Sequence, residues 1–268
     1  MKKSENFNRS LQTLLLMLFI SVACRSFGAV PAKQQYYEIR IYHVTDKLHE
    51  SRVDAYLKDA FLPALHREGI PAVGVFKPVE TDTANYGKMV IVFIPVSTVD
   101  QYVQLPGLLE KDKVYAEAGK SFLDAAYNDP PYKRYQSILL KAFMNMPRFA
   151  APKYSTSVSD RIYELRSYES ATEAKAVKKI EMFNQGGEIA LFESLKFNAV
   201  FYGEVLAGSQ KPNLMYMITF SDMKSHDDHW NAFRDSPEWK KLSGLDEYKN
   251  TVSKADIYLL HPASYSDF

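Results

Sequence analysis

Two six-residue segments of this chain carry the same charged pattern: Tyr37-Glu38-Ile39-Arg40-Ile41-Tyr42 and Tyr163-Glu164-Leu165-Arg166-Ser167-Tyr168. In an extended backbone, residues two apart point the same way, so Glu, Arg and Tyr share one side. Such a set offers two kinds of chemistry. In the first, carboxylate and guanidinium neutralise each other and fix how two layers of structure meet. In the second, Arg40 or Arg166 holds a carboxylate or a polarised carbonyl in a cavity. Tyr42, Tyr168, Tyr202 and Glu204 are then the expected neighbours, and His229 joins them as a candidate. The candidate ligand-binding set is therefore Glu38, Arg40, Tyr42, Glu164, Arg166, Tyr168, Tyr202, Glu204 and His229.

A second constellation is His226-Asp227-Asp228-His229-Trp230, followed by Phe233-Arg234-Asp235-Ser236-Pro237-Glu238-Trp239. Histidines three apart can share a helix face, which suits a metal pair. No third ligand stands at a recognisable spacing, so no metal is expected. The two acids equally suit a solvated first helical turn, and Ser236-Pro237 suits the start of a short helix. Trp230, Phe233 and Trp239 are more simply core. His43, His49 and His66 sit singly. There is no Gly-rich phosphate loop, no G-x-S-x-G elbow and no H-E-x-x-H, and nothing in the sequence calls for a cofactor.

Composition narrows the partners. The 268 residues carry 33 Lys+Arg against 32 Asp+Glu, a balance that gives no reason to expect nucleic acid. The 18 Tyr and 16 Phe, with no basic stripe among them, argue for core or an apolar cavity rather than base stacking. Lys2, Lys3 and Arg9 precede the apolar run Leu11 to Ala23, the layout of an export signal and too short for a comfortable bilayer span. Val30-Pro31-Ala32 offers a signal-peptidase site, giving residues 1–32 as the signal. Cys24, the only cysteine, stands where a lipoprotein would be acylated, and the two fates stay open. Either one predicts an exported protein, in the periplasm or anchored to the envelope of a Gram-negative bacterium. The membrane enters only through that anchor.

The elements that must position the charged sets are written twice. The first strand recurs at an offset of 126 residues, and the run Met89 to Ile94 recurs at the same offset as Met215 to Phe220. Between the copies, Pro147 to Asp160 is Pro/Ser/Thr-rich and aperiodic, a linker joining a first domain, 33–146, to a second, 161–268. In the first copy, 36–43 alternates as a strand. Val53, Leu57, Phe61 and Leu65 mark a helix over 47–68 behind the cap Asp46. Strands at Val73–Phe76 and Met89–Ile94 follow, then helical sequence from Thr98 to Tyr127 broken near Pro106-Gly107, then a strand over Ile138–Phe143. The second copy gives strand 162–168, helix 173–195 interrupted at Gly186-Gly187, strands 198–206 and 214–220, helices within 224–249 and strand 256–261.

The order β-α-β-β-α-β in each half predicts tandem ferredoxin-like units, an α+β fold. Each unit leaves one sheet face bare, and the two bare faces cover each other in a barrel-like body. On this reading Tyr37, Ile39 and Ile41 face the helices, while Glu38, Arg40 and Tyr42 point between the sheets.

These residues resemble the NIPSNAP family. The likeness is carried by Tyr163 to Tyr168, Glu181-Met182-Phe183-Asn184, Gly186-Gly187-Glu188-Ile189, Phe197 to Val205, Leu214 to Met217 and His229 to Trp239. It is strong over 161–264 and weaker over 36–143. The resemblance implies the dimeric α/β-barrel superfamily, whose members include cofactor-free monooxygenases and haem-degrading enzymes. It supplies no catalytic residues to carry over. Animal members are mitochondrial, and the export signal sets this chain apart from them. Two functions follow as expectations: a module binding a small molecule or partner in an inter-sheet cavity, or a monooxygenase-type enzyme, cofactor-free or haem-related. A haem version needs an axial histidine facing the cavity. Further homo-oligomerisation stays open.

Overall fold

Strand β1 (Tyr36–His43) lies at the centre of the first half, flanked by β3 (Met89–Val96) and β4 (Arg134–Ala142), both antiparallel to it. The computed structural model describes residues 33–208 and 210–268. The expected export signal, its candidate cleavage site and Cys24 lie outside the described residues. With β2 (Gly74–Pro78) beyond β3, the first sheet runs β4-β1-β3-β2. The second repeats it as β8-β5-β7-β6, from β5 (Ile162–Glu169), β6 (Asn198–Ala207), β7 (Asn213–Phe220) and β8 (Lys254–Pro262). Two seams join them. β2 pairs with β8 through Phe76↔Pro262, and β4 pairs with β6 through Leu140↔Val205, so the eight strands close into one barrel. Closure removes every open edge of both sheets.

Helices cover the outside. In the first half α1 (Lys47–Tyr56), capped by the Asp46 carboxylate on the His49 N–H, runs through a π turn (Leu57–Phe61) into α2 (Leu62–Arg67). Pro63 has no N–H to offer Asp59, and the turn widens so that Leu62 bonds back to Leu57. Next come α3 (Val99–Leu109), α4 (Lys113–Ala118) and α5 (Lys120–Leu123). The expected break at Pro106-Gly107 does not occur there: α3 passes through both residues and ends at Leu109 with Glu110 as its C-cap, and Asp112 caps α4. In the second half α6 (Glu173–Asn184) stops at the glycine pair, where Gly187 takes φ 90°, a conformation that suits glycine, before α7 (Glu188–Ser194). Then follow α8 (Met223–Asp235) and α9 (Pro237–Ser243), the latter capped by Ser236.

The barrel interior is apolar and dense. Tyr37, Ile39 and Ile41 of β1 meet Phe93, Phe201, Met217 and Leu260 there. Phe93 stacks on Phe201 at 4.9 Å between ring centres and meets the edges of Phe149 and Phe268 at 5.7 and 5.9 Å. Phe149 lies in the segment expected to be a linker, so that segment closes the barrel as well as connecting the halves.

The face assignment made from sequence is therefore reversed. Tyr37, Ile39 and Ile41 point into the barrel, whereas Tyr42 joins the cluster of Val53, Leu57 and Leu65 under the helices. Both sides of β1 are buried, so hydrophobicity alone did not choose between them. The barrel interior offers a carboxylate no cation and only a few buried hydroxyls such as those of Tyr37 and Tyr163, while on the outer side Arg40 and Ser137 hold Glu38.

Since the seams make one hydrogen-bonded surface of the two halves, the barrel should unfold in one transition. Phe93→Ala is expected to cost about 3–5 kcal/mol. Urea denaturation followed by far-ultraviolet circular dichroism and by tryptophan fluorescence checks both. Non-coincident transitions, or a loss below about 1 kcal/mol, would contradict this account.

Candidate functional site

Each half builds a cavity between the outer face of its sheet and its helices, with the Glu-Arg-Tyr set on the floor. In the first half, Arg40 grips Glu38 through Nε to Oε1 at 2.9 Å and Nη2 to Oε2 at 3.2 Å. The register places Ser137 of β4 beside Arg40, and its hydroxyl donates to Glu38 Oε1 at 2.7 Å. The hydroxyls of Tyr102 and Ser137 lie 3.1 Å apart. Glu38 is 1% exposed, so its charge is held by three donors and no bulk water. The Arg40 guanidinium lies 4.8 Å over the Phe61 ring and 5.2 Å over Tyr135. Burial works against its charge, but Glu38 and Tyr42 outweigh that and hold Arg40 firmly protonated.

Above this floor is a cavity of about 590 Å³, walled by Leu105, Leu109, Phe122 and several phenols. Phenols that line it hold protons without acceptors among the described residues. Arg40 Nη1 lies 3.5 Å from the Tyr42 hydroxyl, whose own proton finds no acceptor among the described residues. Burial, partly offset by Arg40, pushes the Tyr42 phenol up to about 12, so it stays a donor at neutral pH. The hydroxyls of Tyr56 and Tyr115 share one bond at 2.7 Å. Two protons serve that bond, so one is spare whichever way it runs.

The second half has the same floor with different neighbours. Arg166 Nε donates to Glu164 Oε1 at 2.7 Å, and Trp230 Nε1 donates to Glu164 Oε2 at 2.6 Å. His226 Nε2 lies 3.3 Å from the same oxygen. The Arg166 guanidinium sits 3.8 Å over the Trp230 ring and donates to the Tyr168 hydroxyl at 2.8 Å. Burial would raise the Glu164 carboxyl, but His226, Arg166 and Trp230 together hold it below its ordinary range. Beside them Lys179 and Glu188 form a buried ion pair at 2.7 Å, on a smaller cavity of about 360 Å³. Burial pushes the Glu188 carboxyl up despite Lys179.

Of the nine candidates, the six of the two Glu-Arg-Tyr sets come together as expected, three in each half. They do so beneath the helices rather than between the sheets. The other three fall elsewhere. Tyr202 is buried against Phe183 and Tyr216 with its hydroxyl unpartnered, and lines neither cavity. Glu204 is exposed on β6 opposite Lys141, at the seam between the halves. His229 turns back along α8, its Nδ1 2.6 Å from the Ser225 carbonyl oxygen, and packs edge-on against Phe197 and Phe220. Of the two histidines it is His226 that reaches the charged floor. Lys179, Ser137 and Tyr102 were not singled out from the sequence, and Glu188 only within the family likeness. Only the Gly186-Gly187 break, which sets α7 back against α6, signals the Lys179–Glu188 contact. Among the described residues no three metal-ligating side chains converge, no helix is long and apolar enough to cross a membrane, and no histidine lines either cavity. The axial ligand that a histidine-bound haem requires is thus not supplied by either cavity.

His226 gives this site a pH signature. Burial would lower its pKa, but Glu164 and Asp227 raise it above the ordinary 6.5. A raised folded-state value means that the contact stabilises fully below pH 6.5 and fades as pH rises through the folded value. The stability difference between wild type and His226→Gln should therefore be largest below pH 6.5 and shrink above it. Chemical denaturation across that range checks this, and a pH-independent difference would contradict it.

Comparison with known proteins agrees with this architecture. A proposed monooxygenase from Lactobacillus acidophilus superposes with a TM-score of 0.55 at 10% identity, over 86% of this chain and 94% of its own. A proposed monooxygenase from Fusobacterium nucleatum gives 0.51 at 9% identity, over 86% and 93%. An anthrone oxidase-like protein gives 0.50 at 9% identity, over 87% and 93%. At such identities the likeness is one of fold. No curated protein matches the sequence. The NIPSNAP family model matches residues 163–267. Residues 163–267 are thus similar to a NIPSNAP domain, and they form most of the second half of the closed eight-stranded barrel.

Proposed function

We propose that this protein binds a small, neutral ring compound bearing acceptor oxygens, in the helix-side cavity of its first half. One observation carries the reading: two phenolic protons, from Tyr42 and from the Tyr56–Tyr115 pair, face a cavity of about 590 Å³ without acceptors among the described residues. Buried donors gain most from a partner that supplies the missing acceptor. Arg40 is neutralised by Glu38, so the floor adds no net charge to draw in a carboxylate, and Glu110 at the rim opposes one. A carbonyl or hydroxyl oxygen on an aromatic or quinone-like ring meets these demands, the ring lying against Leu105, Leu109 and Phe122.

The monooxygenase reading draws on the three proteins of like fold. Oxygenation without a cofactor needs a base to remove a substrate proton. In the first cavity Glu38 is occupied by Arg40 and Ser137, and Tyr42 is held protonated, so neither floor group serves as that base and binding is favoured, with Glu110 at the rim the one other carboxylate lining it. Export belongs to the proposal as well. It rests on Lys2, Lys3 and Arg9 before the apolar run, with Cys24 behind it.

Isothermal titration with 1,4-naphthoquinone should give saturable binding, weakened at least fivefold by Tyr42→Phe, which removes one donor and little volume. Equal affinity in wild type and variant would sink the donor argument. Oxygen uptake with 1,4-dihydroxynaphthalene beyond its autoxidation would favour the enzyme instead. If Cys24 anchors the chain, Cys24→Ala moves it from the membrane fraction to the soluble one, and an unchanged distribution discards the anchor.

A further inference from the structure

The two cavities differ in charge. At the first, Arg40 stands against Glu38 and Glu110. Around the second, Arg166, Lys179 and Arg234 stand against Glu188 and, beneath Arg166, Glu164. Three cations face two carboxylates. Arg234 at the rim hydrogen-bonds the Asn231 amide at 2.6 Å and has no carboxylate partner among the described residues.

The floor of this cavity also has donors to spare. Lys179 is only 5% exposed, and its ammonium meets one strong acceptor, Glu188 Oε2, with Met182 Sδ at 3.4 Å as a poor second. Three N–H groups are available to it. Nearby, Arg166 donates to the Tyr168 oxygen, and the Tyr168 and Tyr216 hydroxyls share a single bond at 3.0 Å. One phenolic proton of that pair has no acceptor among the described residues. The walls are the two indoles, Trp230 and Trp239, with Phe233 and Ile257.

The first half lacks this arrangement. At the 126-residue offset, Val53 and Leu62 stand where the second half has Lys179 and Glu188, and both are buried. A buried ion pair costs desolvation that an apolar pair does not. Its presence on a cavity, in one copy only, marks the second half as the one equipped for charge.

We propose that the second half holds a separate site for a small aromatic carboxylate, its ring against Trp239 and Phe233 and its carboxylate among Lys179, Arg234 and the Tyr168–Tyr216 hydroxyls. A cationic ligand is disfavoured, since Lys179 already lies 4.6 Å over the Phe183 ring and 5.8 Å over Trp239. This site stands or falls independently of the first cavity.

The chain itself supplies the probe. Its only two tryptophans, Trp230 and Trp239, both line this cavity, so intrinsic tryptophan fluorescence reports on this site and not on the other. Titrating the full chain with benzoate should change that fluorescence saturably, whereas benzamide, its neutral analogue, should bind at least tenfold more weakly. Arg234→Gln, a surface change that leaves the buried pairs alone, should weaken benzoate roughly threefold or more. The double variant Lys179→Val with Glu188→Leu, which copies the first half, should weaken it at least tenfold. Equal responses to benzoate and benzamide would overturn the proposal. So would no saturable response up to millimolar benzoate, or unchanged affinity in Arg234→Gln and the folded double variant. Should the double variant not fold, the amide comparison and Arg234→Gln decide alone.

Discussion

A carboxylate and a guanidinium two residues apart on an innermost strand must satisfy each other when both faces of that strand are buried. Barrel closure imposes this on β1 and β5 alike. Their inner residues fill a mainly apolar space, and Glu38, Arg40, Glu164 and Arg166 turn outward and lie under the helices. There each pair recruits further donors, Ser137 in one half and Trp230 with His226 in the other. Removing a single member would leave a buried charge alone, which typically costs 3–5 kcal/mol. The pairs thus act as the floor on which the helices rest, and that floor is also the base of each cavity.

From this constraint the two halves diverge by what the helices bring to the floor. α3 and α4 bring Tyr102, Leu105 and Tyr115, and the first cavity becomes large, phenolic and without excess positive charge. α6 to α9 bring Lys179, Glu188, Trp230 and Trp239, and the second becomes small, indole-lined and cationic. One fold with one floor can in this way present two chemistries, because specificity lies in the covering layer rather than in the barrel.

Much of the architecture was legible in the sequence. The repeated Tyr-Glu-Leu/Ile-Arg strand, the recurrence of Met89 to Ile94 at Met215 to Phe220 and the Gly186-Gly187 interruption all correspond to what the chain forms. Period two sorted β1 and β5 into two sets but did not say which set faced inward, since helices bury the outer face of these strands almost as fully as the barrel buries the inner one. Pro106 misled because α3 continues through it, the proline depriving only the Tyr102 carbonyl of its intrahelical donor. The choice of His229 over His226 failed for a rotational reason. The two are three residues apart on α8, close enough to share a face, yet only His226 turns toward Glu164 while His229 bonds its own helix. Glu204 has Gly203 and Val205 beside it on a strand whose outer edge became a seam, and no local signal marks a seam. Lys179 and Glu188 meet across a helix break, a contact that only the tertiary arrangement defines.

The central claim is that ligands enter beneath the helices and not between the sheets. The most direct test is a crystal structure of the full chain grown with 1,4-naphthoquinone. The account predicts density for the ring above Arg40, between Leu105 and Phe122, with one oxygen within hydrogen-bond reach of the Tyr42 hydroxyl. Density among Phe93, Phe201 and Met217 inside the barrel, or a ligand bound only on the outer surface, would contradict it.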